Sequence, residues 1–167
     1  MSGETRKKEE ENFSSLRSRL RWAVIPFVFL VDRVFKIWAL THLREGESLP
    51  VWKGVFHLTG VNNTGAAFGL WRDFPAFPVV VTAISTAVIF FYLVRYREKK
   101  LSIRFLGWSL VLGGSLGNLY DRMDYGHVID FLDFRIWPVF NVADACICVG
   151  VVCVLGSAFR KNASDSI

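Results

Sequence analysis

Apolar residues along this 167-residue chain fall in four blocks separated by polar stretches. The blocks run from Trp22 to Leu40, Phe74 to Val94, Phe105 to Tyr120 and Val139 to Phe159. Each can be read as a helix of about 20 residues, the length that crosses a bilayer. The second and third blocks carry no charge; the fourth carries only Asp144, and the first is broken by Asp32, Arg33 and Lys36. Between the first two blocks, Leu49 to Trp71 (LPVWKGVFHLTGVNNTGAAFGLW) has a different grain. It is rich in β-branched and aromatic residues punctuated by Gly54 and Gly60, which predicts two or three short strands. After the third block, VIDFLDF lacks helical spacing and predicts an extended return. The expected architecture is therefore a mainly α membrane protein. A four-helix transmembrane bundle carries a small β-sheet on its outer face.

Composition agrees. With 52% hydrophobic residues and a mean hydropathy of +0.33, the chain is too apolar for an ordinary soluble domain. Charge then sets orientation. Basic residues concentrate in the N-terminal arm (Arg6, Lys7, Lys8, Arg17, Arg19, Arg21), between the second and third blocks (Arg95, Arg97, Lys99, Lys100, Arg104) and in the tail (Arg160, Lys161). By the positive-inside rule, both termini and the middle loop face the cytoplasm. The expected organisation is an arm at 1–21, one membrane domain at 22–160 and a tail at 161–167. Spans lie near 22–41, 74–94, 103–121 and 138–159, with a β-rich outer loop at 42–73 and a second outer loop at 122–137. The first block is too long and too charged for a cleaved signal peptide. The net charge of +5 forms no stripe suited to nucleic acid. Cys146, Cys148 and Cys153 have no ligand spacing and read as packing residues.

Charged residues within apolar blocks are costly and usually functional. Asp144 is expected about six residues into a helix starting near Pro138, shallow beneath the outer surface. The third block ends in GGSLGNLYDR, a GxxxG pair followed by Asn118, Asp121 and Arg122. Asp130 and Asp133 come soon after. Two carboxylates brought close cannot both ionise cheaply, and such a pair can activate water. Spacing leaves Asp121, Asp124, Asp130 and Asp133 all open as partners of Asp144. Asp121 reads equally well as a helix-end ion pair with Arg122. Asp32 and Lys36, four apart, suit an internal ion pair.

Together these motifs resemble the lipoprotein signal peptidase (signal peptidase II) family of bacteria. The segments that carry the resemblance are DRVFK, NNTGAAFG, GGSLGNLYDR, GHVIDFLDF and FNVADA, in that order. The resemblance implies a membrane aspartic endopeptidase of the bacterial inner membrane with its active site near the periplasmic surface. It would cut prolipoproteins before a diacylglyceryl-modified cysteine, with no cofactor and no metal, and be blocked by globomycin-type cyclic peptides. It assigns the acid pair to Asp130 and Asp144. It gives Asn63, Gly65, Asn118, Arg122 and Asn141 roles in holding substrate and the pair, and makes Asp32, Lys36 and Asp121 supporting. A small proton-coupled transporter is the alternative reading. Against it stand the missing repeated halves and the gathering of the acids at one face.

Overall fold

The computed structural model describes residues 21–65, 76–95 and 102–164. The arm up to residue 20, the second half of NNTGAAFG and the basic residues Arg97, Lys99 and Lys100 lie outside them. After one 3-10 turn come helix α1 (Val24–His42), strands β1 (Ser48–Trp52) and β2 (Phe56–Asn63), helices α2 (Phe77–Arg95) and α3 (Ile103–Asp124), strand β3 (Val128–Asp133) and helix α4 (Val142–Ser164). Each apolar block holds a helix. Two of them, α2 and α4, are long and apolar enough to cross a membrane.

Helix α1 shows why its charges did not end it. Asp32, Arg33 and Lys36 are buried, while Phe27, Leu30, Val34 and Ile37 are exposed, Phe27 by 67%. That is the inverse of a water-soluble helix and suits an apolar surrounding with a polar interior. α2 and α4 likewise expose Val88, Phe91, Val152 and Phe159.

Helix α3 is the axis, packing against α1, α2 and α4. Its glycines face two ways. A Cβ at Gly113 would lie 2.8 Å from the Val28 side chain on α1, and one at Gly114 would lie 2.5 Å from the Ala143 carbonyl on α4. Small residues let helix backbones approach where no water drives association. Gly117 does something the GxxxG reading does not foresee. A Cβ there would sit 2.5 Å from Asp32 Oδ2, so the missing side chain admits a carboxylate.

The sheet is antiparallel in the order β1–β2–β3. The expected strand segment therefore supplies two strands, and the third comes from VIDFLD. β3 is almost wholly buried, packing Ile129 and Phe131 against Ala39 and Leu43 at the end of α1. Two boundaries differ from expectation. α3 continues to Asp124, where the Tyr125 amide bonds the Asp121 carbonyl and Gly126 turns the chain at φ +78°. α4 starts at Val142 rather than near Pro138. The reason is that Leu132 and Phe140 exchange backbone hydrogen bonds of 2.8 and 3.1 Å, which keeps the chain extended up to Asn141.

Candidate active site

Sheet and bundle meet where β3 runs beside the start of α4. On β3, Asp130 points opposite to Ile129 and Phe131 by the strand pleat. It is 1% exposed. On β2, Asn63 pairs with Val128, two residues from Asp130, so both side chains share a face. Asn63 Nδ2 donates to Asp130 Oδ2 at 2.8 Å, and Asn141 Nδ2 donates to Asp130 Oδ1 at 2.6 Å.

Asn141 also caps α4. Its Oδ1 accepts from the Asp144 amide at 2.9 Å, while its own amide donates to Asp144 Oδ2 at 3.3 Å. This reciprocal capping makes Asp144 the third residue of the helix, not the sixth after Pro138. The helix N-terminus also favours negative charge there. Asn118 on α3 completes the cluster, its Nδ2 donating to Asp144 Oδ1 at 2.7 Å. Asp130 and Asp144 thus lie in one net of three asparagine amides. Asp144 is the more open of the two.

Burial pushes the Asp130 carboxyl up to about 6. The Asn63 and Asn141 amides and the Lys36 charge oppose this, and the charge of Asp144 adds to it. Asp133 behaves differently. Burial works to raise it, but Thr59 and both donors of Arg135 outweigh burial and hold it low. The Arg135 amide donates to Asp133 Oδ1 at 2.8 Å, and Nη1 to Oδ2 at 2.9 Å. These bonds brace Arg135 at φ +65°, in the turn that leads from β3 back toward Asn141. Asp133 is committed to shaping that turn.

Beneath the cluster lies a buried ion network. Lys36 Nζ is 3.0 Å from Asp32 Oδ2 and 2.6 Å from Asp121 Oδ2. Asp121 also pairs with Arg33, whose guanidinium sits 4.8 Å from the Tyr120 ring centre. The expected Asp121–Arg122 pair is therefore replaced by one reaching α1, because Asp121 faces inward, fully buried. The sequence gives Arg33 no partner, although as a charge inside an apolar block and within DRVFK it carries the same signal as Asp32 and Lys36. Asp32 Oδ1 accepts the Ala143 amide at 2.9 Å, so α1 caps the same helix that carries Asp144.

Arg122 donates from Nη1 to the Asn118 carbonyl at 3.3 Å, and its Nε is buried without a hydrogen-bond partner. Gly65 follows Asn63 at φ +73°, its amide bonded to Asn63 Oδ1 at 2.9 Å. A Cβ at Gly65 would lie 3.9 Å from Arg122 Nη2. The ten expected site residues thus form one region. Asp124, the last residue of α3, is exposed. Among the described residues no group of three or more His, Cys, Asp or Glu is arranged to hold a metal ion.

The chain is similar to known proteins over most of its length. A family model described as signal peptidase (SPase) II matches residues 24–160. The lipoprotein signal peptidase of Halothermothrix orenii is 41% identical over 134 residues, covering 80% of this chain and 91% of that one. That of Moorella thermoacetica is 46% identical over 134 residues, covering 77% and 89%. A solved structure of a bacterial membrane enzyme superposes with a TM-score of 0.77 at 27% identity, covering 87% of this chain and 90% of that chain.

Proposed function

This chain belongs to the signal peptidase II family, and from that premise we propose an aspartic endopeptidase whose water-activating pair is Asp130 and Asp144. The family's activity makes it a membrane peptidase that removes signal peptides from prolipoproteins. The observation that carries the reading of the site is the asparagine net. Three amides from β2, α3 and α4 converge on two carboxylates and hold them together.

In the proposed reaction the pair shares one proton. We assign that proton to Asp130, the more deeply buried acid, and the base role to the more open Asp144. Water attacks the peptide carbonyl carbon and gives a proton to Asp144, while Asp130 gives its proton to the carbonyl oxygen. The resulting diol collapses. Asp144 then protonates the leaving nitrogen and a diol hydroxyl returns a proton to Asp130. The products are a carboxylic acid and an amine, and both side chains are restored. The Arg122 guanidinium, whose Nη2 lies beside Gly65, is suited to a carbonyl oxygen of the bound peptide.

Substrate is proposed to be the diacylglyceryl-modified prolipoprotein, cut just before its cysteine. All four helices would cross the bacterial inner membrane, with both termini cytoplasmic and the sheet on the periplasmic face. The pair then lies just below the lipid–water boundary, at the depth of a cysteine whose acyl chains remain in lipid. Burying those chains contributes about 0.8 kcal/mol per methylene. Globomycin-type cyclic peptides are expected to compete at this site. The test is cleavage by the purified protein across pH. A lipid-modified prolipoprotein fragment should be cut with a rate that falls on both the acid and the basic side. A rate that varies on one side only would exclude a shared proton.

A further inference from the structure

We infer that Lys36 is a positioning residue whose ammonium anchors the Asn118 amide oxygen, and through that side chain the donor that reaches Asp144. This rests on the reading of Asp130 and Asp144 as the reacting pair. An ammonium has three donors and no acceptor. Lys36, fully buried, spends all three: on Asp32 Oδ2 at 3.0 Å, Asp121 Oδ2 at 2.6 Å and Asn118 Oδ1 at 2.8 Å. The third is the informative one. Two acids leave one buried donor to satisfy, and the structure satisfies it with a neutral amide that also reaches Asp144.

Because Lys36 can only donate, Asn118 must present its oxygen to it. The amide nitrogen then faces the opposite way, toward Asp144 Oδ1 at 2.7 Å. The same Asn118 oxygen accepts from Asn141 Nδ2 at 3.2 Å, and that nitrogen also reaches Asp130 Oδ1 at 2.6 Å. One direction of polarity therefore runs from Lys36 through Asn118 to Asp144, while Asn141 donates both to the Asn118 oxygen and to Asp130. Without the ammonium, Asn118 keeps its bonds to Asn141 and Asp144 but loses the anchor that holds its oxygen from the α1 side, so its nitrogen is free to shift against Asp144.

Lys36→Met alone leaves two buried carboxylates short of a cation and can unfold the protein for that reason. The test is therefore run in an Asp121→Asn background, where removing the ammonium leaves Asp32 balanced by Arg33, 3.5 Å away. In that background Lys36→Met, Asn118→Ala and the pair together are assayed for kcat and KM on a lipid-modified prolipoprotein fragment. Lys36→Met should lower kcat on the order of 100-fold, the effect of misplacing a reacting group, with KM changed by less than about 2-fold. The combined variant should be no slower than Asn118→Ala alone, because Lys36 acts through that side chain. Losses that multiply, or an undiminished kcat in Lys36→Met, overturn the inference. Asp144→Asn in the wild-type chain separates the two readings. If it is inactive while the cycle is additive, the acid pair stands and only the role of Lys36 falls. If it is active, the acid pair itself falls.

Discussion

Gly117→Ala is a one-carbon change with a calculable effect. The added Cβ would sit 2.5 Å from Asp32 Oδ2 and 3.1 Å from its Cγ. Carbon–oxygen contacts settle at about 3.3 Å or more, so the carboxylate must retreat by roughly 0.8 Å. Asp32 is short and fully buried, with little room to absorb this. Its 2.9 Å bond from the Ala143 amide and its 3.0 Å pair with Lys36 both stretch toward the limit of a hydrogen bond. A hydrogen bond to a charged group contributes about 1.5–3 kcal/mol, and breaking a buried pair outright costs about 3–5 kcal/mol. With both weakened rather than lost, the penalty is about 3 kcal/mol. Alanine returns about 1 kcal/mol through its helix propensity. The net loss of about 2 kcal/mol corresponds to a melting temperature lower by roughly 4–8 °C for a chain of this size. The assay is thermal unfolding of the purified protein in detergent, beside Gly156→Ala, where nothing lies within 4 Å of the new methyl. Gly156→Ala should melt at or slightly above the wild-type temperature. If Gly117→Ala melts with wild type and cleaves at the wild-type rate, the tight seating of Asp32 is refuted.

Other consequences are testable in the same preparation. Asp130 is raised in the folded protein, so its contribution to stability is full below about pH 4 and is lost as pH rises through about 6. Relative to Asp130→Asn, the wild type should therefore lose on the order of 2 kcal/mol over that window, read from denaturation at pH 4 and pH 7. Asn63→Ala removes a donor that lowers Asp130, so it should move the basic limb of the cleavage profile to higher pH. Gly65→Ala places a side chain at φ +73°, costing about 1–2 kcal/mol locally, and sets a methyl beside Arg122. It should raise KM more than it lowers kcat. Arg135→Ala removes one bond to Asp133 and frees the turn before Asn141, and should lower kcat without abolishing it.

Much of this fold is legible in the sequence because the helices separate exposed apolar residues from buried charged ones so sharply. Apolar blocks give the helices, and charges inside them point to the interior. The strands show through the β-branched and aromatic residues on either side of Gly54, from Leu49 to Trp52 and from Val55 onward. What spacing cannot reveal is which acid meets which. Asp130 and Asp144 are fourteen positions apart and come together only because Phe140 clips onto Leu132. Without that clip, the Trp-Pro before it reads as the helix start and misplaces Asp144. The partner of Asp121 is equally hidden. Its neighbour Arg122 is the local choice, but Arg33 and Lys36 arrive from a helix some 85 residues earlier. The family motifs supply the pairing that local physics leaves open. Gly117 was legible as small but not as a passage for a carboxylate, since that needs the position of α1.

The most direct measurement is single-turnover cleavage of a lipid-modified prolipoprotein fragment by purified Asp130→Asn and Asp144→Asn, alongside binding of the same fragment. Both variants should bind the fragment within a few-fold of wild type yet leave it uncut, slowed by at least about 10³-fold. Cleavage near the wild-type rate by either one would contradict the account.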